Sequence, residues 1–375
     1  MQRCAFKFEK PLTLYKYFAL ELIMGRNVRI FMSLMLLLMA FSCAPHKKGY
    51  VTITGFAQGG TYAVKFNLDG VETAPEEIRD SINAILSNID NSLSGYNKNS
   101  LLSRFNEGNT ITPDRLFMDM YAVAYDVFVE TEGVVDAASA PLFDIWGFGF
   151  ANQSLPADEE VMKVRQNCGM SRLKTDMKAA VSEDGTLAPA DLLIAEGTLP
   201  KLNYNAIAQG YSCDLVASYL YSIGVKDMMV DIGEIFCDGV NPSGRPWTLG
   251  IDRPEDGNND PGAQIQGIFK APEGPHGIVT SGNYRKFYIR DGKKYSHSID
   301  PCTGYPVQHT LLSATIVADN ATMADAYATY CMVAGLEASR EFIQSRPDLE
   351  GCLVYDEGGV FQTWCSDGFV LEGAE

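Results

Sequence analysis

The stretch from Thr280 to Val307 constrains this chain more than any other. It begins Thr280-Ser281-Gly282-Asn283-Tyr284-Arg285-Lys286-Phe287-Tyr288 and passes through Asp291-Gly292. It ends Tyr295-Ser296-His297-Ser298-Ile299-Asp300-Pro301-Cys302-Thr303-Gly304-Tyr305-Pro306-Val307. Asp-Gly between two alternating runs, Lys286 to Arg290 and Lys294 to Ser298, is the strongest short-range signal for a tight β-hairpin. The hairpin predicts His297 at a strand end, with consecutive turns at Asp300-Pro301 and Thr303-Gly304. A histidine beside turns with free backbone amides, on a rigid hairpin, suits a polar ligand. On this stretch alone, an ordinary hairpin with a surface histidine reads equally well.

A second informative stretch is Ala324-Asp325-Ala326-Tyr327-Ala328-Thr329. Asp325 and Thr329 are four apart on a predicted helix, so their oxygens share one face. A carboxylate with a hydroxyl is a hard-oxygen pair, suited to Mg²⁺ or Ca²⁺ rather than zinc. A helix start with a buried threonine is the plain alternative. Gly55-Phe56-Ala57-Gln58-Gly59-Gly60-Thr61-Tyr62 is a glycine-rich strand connection that lets a backbone approach a ligand, without the spacing of a phosphate-binding loop. Asn205-Ala206-Ile207-Ala208-Gln209-Gly210-Tyr211 opens a helix whose free N–H groups suit a phosphate. Either segment alone is equally a turn or a helix start.

The chain begins with features of an export signal. Arg26 and Arg29 precede an apolar run from Ile30 to Phe41, which ends at Ser42-Cys43. The run is too short for a comfortable membrane span. Residues 1–42 therefore read as a signal peptide, with translation starting at Met1 or Met24. Residues 43–50 read as a tether anchored by a lipid on Cys43, and 51–375 as the folded domain. A plain secretory signal or an uncleaved anchor are the alternatives. Residues 1–42 carry six Lys/Arg and two Asp/Glu, so their removal takes the formal charge from −17 to −21. So acidic a surface argues against nucleic acid as a partner. Seven cysteines follow Cys43, in no zinc-binding spacing. Most read as small buried residues, although export permits a disulfide.

Strands are expected at 50–56, 61–66, 228–232, 247–251, 278–281, 312–318, 352–355 and 360–364. A helix opens at Pro75, a second is capped by Thr112-Pro113, a third leads to Ser222, and two more cover 322–334 and 336–345. Residues 151–200 are more polar and read as a peripheral stretch. Strands and helices interleave, but several connections are hairpins. That favours an α+β fold of mixed, largely antiparallel sheets with packed helices.

Read together and in order, these segments resemble the ApbE family of FAD:protein FMN transferases. The resemblance rests on Gln58-Gly59-Gly60-Thr61-Tyr62, Ser103-Arg104-Phe105-Asn106, Pro141 with Trp146-Gly147-Phe148-Gly149, and Ala208-Gln209-Gly210-Tyr211. It continues with Thr280-Ser281-Gly282-Asn283-Tyr284-Arg285, Ser296-His297, Ile299-Asp300-Pro301, Thr303-Gly304 with Pro306, and Ala324-Asp325-Ala326 with Thr329. It implies two lobes around a cofactor cleft. It also implies transfer of FMN from FAD onto a threonine or serine hydroxyl of an exported or membrane-bound flavoprotein, with AMP released. The implied acceptors are subunits of sodium-pumping NADH:quinone reductase or Rnf-type complexes. The implied location is the periplasmic side of the inner membrane, reached through a palmitate-type anchor.

By that resemblance Gln58, Tyr96, Val134, Val135, Asp136, Asn203, Gln209 and Ile299 contact FAD. Ala206, through its carbonyl, Asp325 and Thr329 hold Mg²⁺, with Ca²⁺ or Mn²⁺ as substitutes. His297 is the residue implicated in transfer. The chain departs from the family pattern at Gln58, Asn203 and Gln209, and Asp231-Ile232-Gly233-Glu234-Ile235 is one glycine short. Three other readings remain open: an FAD pyrophosphatase giving FMN and AMP, a flavin-binding lipoprotein without turnover, and a glycan-binding lipoprotein using Trp146 and Trp247.

Overall fold

In a computed structural model, the described residues are 49–148, 155–258, 262–284, 287–290 and 293–373. The expected signal, Cys43 and all but the last two residues of the tether lie outside them, as do Arg285, Lys286, Asp291 and Gly292. No helix among the described residues is long and apolar enough to cross a membrane. Lys48–Glu375 forms one compact unit.

The strands are β1 (Tyr50–Ala57), β2 (Gly60–Asn67), β3 (Met228–Asp231), β4 (Ile235–Asp238), β5 (Thr248–Asp252), β6 (Ile265–Lys270), β7 (His276–Gly282), β8 (Phe287–Arg290), β9 (Lys293–Ser296), β10 (Leu311–Ala318), β11 (Glu350–Glu357), β12 (Val360–Cys365) and β13 (Leu371–Glu372). The helices are α1 (Pro75–Leu93), α2 (Leu101–Asn106), α3 (Arg115–Glu130), α4 (Ala140–Ile145), α5 (Asp158–Gln166), α6 (Ala208–Ser222), α7 (Ala321–Ala334) and α8 (Leu336–Gln344). Eight strands make one sheet in the order β1-β2-β3-β4-β7-β10-β11-β12. Every neighbouring pair in it is antiparallel. A three-stranded sheet runs β13-β6-β5, and β8 pairs with β9 alone. The α+β expectation holds.

Local chemistry explains the elements. Pro75 occupies the first turn of α1 with Glu76 and Glu77, where a missing N–H costs nothing and negative charge meets the helix dipole. Its stripe Ile78, Ile82, Leu86 and Ile89 is buried. The cap of α3 is Asp114, which accepts from the Phe117 amide at 2.8 Å, and not Thr112-Pro113 as expected. The fixed proline φ leaves the following aspartate at the cap position. Residues 58 and 59 join β1 to β2 with φ of +52° and +82°. Positive φ at both central residues is the hairpin turn whose twist matches its strands.

The stretch 151–200 is not peripheral in packing. Met170, Leu173, Met177, Leu187 and Leu192 are all buried in the largest hydrophobic cluster, with α3, α7 and strands β10 and β11. Its apolar residues show no period because short 3₁₀ turns, at Met170–Arg172, Met177–Ala180 and Pro189–Leu192, present them one at a time.

The packing pivot is the start of α7. This helix is apolar on nearly all sides and rich in alanine, so it lies close to its neighbours. A Cβ built on Gly277 of β7 would stand 2.3 Å from the Ala321 backbone, and one on Gly210 of α6 would stand 2.2 Å from the Ala321 carbonyl oxygen. Both glycines are therefore required by close approach. Substituting Gly277→Ala must push α7 off the sheet, and the expected loss is roughly 2–3 kcal/mol, read as a lower urea midpoint. An unchanged midpoint would show that α7 has room to move.

Candidate functional site

The first turn of α6 is where several of the predicted site residues meet. Asp325 sits on the second turn of α7, is 4% exposed, and its Oδ2 accepts from the Gly210 amide at 3.1 Å. Burial raises this carboxyl to about 7; the Gly210 N–H pulls it down and the nearby Asp214 carboxylate pushes it up. Thr329 follows one turn later and is half-buried. Ala206 lies in the turn that leads into α6. Among the described residues no three His, Cys, Asp or Glu side chains gather as a metal cluster. Any hard cation here would rest on one carboxylate plus neutral oxygens.

Asp214 was not singled out by the sequence, yet it fixes this geometry. Its two carboxylate oxygens accept from the Ala321 and Thr322 amides, each at 2.9 Å, and from the Thr322 hydroxyl. It thus caps α7 from a different helix, satisfying N–H groups that an isolated helix would leave open. Its pKa is raised by burial, against the pull of those three donors. Asn320 supplies a second cap, accepting from the Met323 amide at 2.8 Å. A residue that caps a helix more than a hundred positions away carries no local sequence signal.

Two more expected contacts join the same turn. Gln58, held at positive φ without being glycine, donates its amide to the Ser212 hydroxyl, which donates to the Ala208 carbonyl at 2.7 Å. That hydrogen bond offsets the cost of an unfavourable backbone well. Gln209 donates to the Ile232 carbonyl at 3.1 Å, and the Gly233 turn lies directly against its amide. The β1–β2 turn, the β3–β4 turn and α7 therefore all touch the start of α6.

Asp136 and Asn203 form a second group. The Asn203 amide donates to the Ala137 carbonyl at 2.7 Å, tying the lead-in of α6 to the residue after Asp136. Asp136 accepts from the amides of Ala138 at 2.8 Å and Met170 at 3.0 Å, and burial pushes its carboxyl up to about 6 against those two bonds. Val135 is buried and Val134 half-buried beside it. Tyr96 is 66% exposed in the loop between α1 and α2.

The hairpin expectation holds in register. Phe287 pairs with Ser296 and Arg290 with Lys293, which leaves Asp291-Gly292 as the two-residue connection. His297 follows β9 directly and is half-buried. The hairpin is joined to the α4 loop by ring contacts running Phe148–Tyr288–Tyr295–Trp146, with centroids 5.1, 5.3 and 5.9 Å apart and all three pairs stacked. Tyr288 Oη donates to the Trp146 carbonyl at 3.1 Å, and Trp146 Nε1 to the Gly304 carbonyl at 2.8 Å. Ile299 is 1% exposed, packed with Leu142, Trp146 and Val161, so only its main chain faces other duties. Trp146 and Trp247 are 7% and 4% exposed, which removes the aromatic platform that a glycan-binding reading needs. The structure thus gathers Gln58, Ala206, Gln209 and Asp325 around one helix start, with Thr329 one turn further along α7. Asp136 and Asn203 are joined to its lead-in, and His297 and Ile299 to the α4 loop.

Comparison with known proteins gives a consistent picture. Residues 58–353 match the model of the ApbE family. The chain is 31% identical over 301 residues to the FAD:protein FMN transferase of Escherichia coli strain K12, covering 78% of this chain and 81% of that protein. It is 31% identical over 343 residues to the protein of the same name from Haemophilus influenzae, covering 88% and 94%. The flavin transferase ApbE of Vibrio cholerae superposes with a TM-score of 0.70 at 29% identity, covering 85% of this chain and 97% of that one. The flavinyl transferase ApbE of Pseudomonas stutzeri, in its apo form, superposes with a TM-score of 0.72 at 28% identity, covering 86% and 96%.

The Asp136 carboxyl gives a pH prediction that needs no ligand. Its folded pKa, about 6, lies above the ordinary carboxyl value of 3.8. The folded state therefore holds the proton more tightly, and this group's penalty grows as pH rises from about 4 through 6. Asp136→Asn removes the buried charge while keeping an acceptor. The variant should gain on the order of 2 kcal/mol relative to wild type between pH 4 and pH 7. Thermal denaturation of both proteins across that range checks it; a gap that does not change with pH contradicts the burial account.

Proposed function

The chain belongs to the ApbE family, and from that premise we propose that it transfers the FMN half of FAD to a threonine or serine hydroxyl of an exported or membrane-bound flavoprotein. A divalent cation, Mg²⁺ first among the candidates, is required, and AMP leaves. The observation that supports this reading best is the buried Asp325 carboxyl, which accepts from the Gly210 amide at the start of α6. A carboxylate so buried carries a desolvation cost that a cation would offset.

The residues present fit such a cation. Mg²⁺ in phosphoryl-transfer sites rests on one or two carboxylates plus substrate phosphates. Asp325 would supply the one carboxylate; the Thr329 hydroxyl, one turn later on α7, and the Ala206 carbonyl, in the turn before α6, would supply neutral oxygens. Asp214 is excluded as a ligand because its oxygens are engaged in capping α7. A bound cation would neutralise the diphosphate of FAD, which an acidic chain would otherwise repel. Gln58, Asn203 and Gln209 orient the nucleotide, with Asp136, Val134 and Val135 beside them. Tyr96 offers an exposed ring for the flavin or base.

His297 takes the proton of the acceptor hydroxyl as its oxygen bonds to the FMN-side phosphorus. The diphosphate P–O bond breaks, and AMP carries away the electron pair. The neutral-range pKa of an ordinary imidazole suits this role. The export signal and a lipid on Cys43 would hold the chain where such acceptors lie, including flavoprotein subunits of sodium-pumping NADH:quinone reductase and Rnf-type complexes.

The deciding experiment incubates the protein with FAD, Mg²⁺ and an acceptor bearing the target hydroxyl, then reads ultraviolet-excited flavin fluorescence on a denatured band. A fluorescent acceptor supports the proposal. Release of FMN and AMP with no labelled band points to a pyrophosphatase instead. In the same assay Asp325→Ala should lower Mg²⁺-dependent transfer by at least about 100-fold. Unchanged dependence on the metal refutes the ligand assignment. His297→Ala should still bind FAD but transfer FMN roughly 10²–10⁴-fold more slowly in a single turnover; a normal rate with FAD bound removes His297 from the chemistry.

A further inference from the structure

One pair of nucleophilic side chains lies apart from the flavin site and has no part in it. Cys352 of β11 and Cys365 of β12 are direct partners in an antiparallel register. The residues flanking them, Gly351 and Ser366, are joined by a backbone hydrogen bond from the Ser366 amide to the Gly351 carbonyl at 2.9 Å. In an antiparallel ladder, bonded and non-bonded pairs alternate, so Cys352 and Cys365 occupy a non-hydrogen-bonded pair. Such pairs bring side chains closest, with Cα atoms near 4.5 Å, inside the span that a disulfide tolerates. The two Sγ atoms stand 2.8 Å apart.

We propose that Cys352 and Cys365 close a cross-strand disulfide that pins the edge strand β12 to β11 wherever the chain meets a thiol–disulfide oxidant. Cys365 is half-exposed on the outermost strand of the eight-stranded sheet, and Cys352 is buried behind it. Cys365 is the more accessible of the two thiols and therefore meets the oxidant first. The Cys365 thiolate attacks one sulfur of the oxidant's disulfide, forming a mixed disulfide and expelling one thiolate. The Cys352 thiolate then attacks the Cys365 sulfur and expels the second. The two thiol protons leave to solvent or to the expelled thiolates, and the oxidant takes the two electrons as two thiols. The bond closes a short loop around the β11–β12 turn and keeps β12 from peeling away to bare the β11 edge. Of the other described cysteines, Cys213 and Cys331 are buried in other clusters, Cys237 shares the cluster of Cys352 and Cys365 but sits on β4, with β7 and β10 between it and β11, and Cys168 and Cys302 lie on loops around the α4 region. The inference stands on its own, independent of the flavin reading.

The test uses the full chain with oxidised glutathione as the probe, followed by denaturation, alkylation with iodoacetamide and tryptic mass analysis. Arg346 precedes Pro347, so one fragment from Glu341 to Glu375 carries both cysteines and no other. The expected result is that this fragment loses the mass of two hydrogens, takes up no iodoacetamide, and recovers both on reduction. The oxidised chain should unfold about 4 °C above the reduced one, and Cys365→Ala should show neither effect. Full alkylation of both cysteines after oxidation, a lasting glutathione adduct on Cys365, or a lower midpoint on oxidation each overturns the proposal.

Discussion

The Asp214 carboxylate, set against the first amides of α7, is the interaction on which the rest of the site depends. A helix that begins inside a protein leaves backbone donors that must be satisfied. Here they are met by an acid on α6 and an amide side chain at Asn320, while Gly210 and Gly277 let the helix come in to backbone contact. Those four residues fix where α7 starts. Because Asp325 sits one turn into that helix, they also fix where its carboxyl points. Two acids stand close in a dry environment, one neutralised by helix amides and the other left with little compensation. The asymmetry gives one acid a structural duty and leaves the second able to bind a cation.

Around that pivot the chain converges on α6 from several directions. The β1–β2 turn reaches it through Gln58 and Ser212, the β3–β4 turn through Ile232 and Gln209, and the segment after α3 through Ala137 and Asn203. None of these contacts is strong alone. Each is a single hydrogen bond between segments far apart in sequence, of the kind that contributes about 1 kcal/mol. Together they place backbone amides, a carbonyl and a carboxyl around one helix start, an arrangement suited to a diphosphate.

Much of this was legible in the sequence, and the parts that were not share a cause. Local chemistry announced the hairpin at Asp291-Gly292, the helix bearing Asp325 and Thr329, and the start of α6. In each case the signal lay within a few residues of its effect. Asp214 was invisible because its partners, Ala321 and Thr322, lie in another element. Residues 151–200 looked peripheral because Met170, Met177 and Leu192 enter the core singly from 3₁₀ turns, which leave no period to detect. The cap at Asp114 was displaced by one position from the Thr112-Pro113 pair, an error within reach of any reading of helix ends. Trp146 had a motif and a candidate duty as a glycan platform, but its role as a stacking partner for the hairpin depends on Tyr288 and Tyr295, some 140–150 positions later.

That stack has a further consequence. Among the described residues β8 and β9 form their own two-stranded sheet, so the strands leading to His297 are not members of the eight-stranded sheet. Stacked rings and the Tyr288 hydroxyl help to seat this arm. Salt screens ionic attraction but leaves stacked π-surfaces nearly untouched. The seating of this arm should therefore persist at salt concentrations that weaken exposed ion pairs elsewhere in the fold.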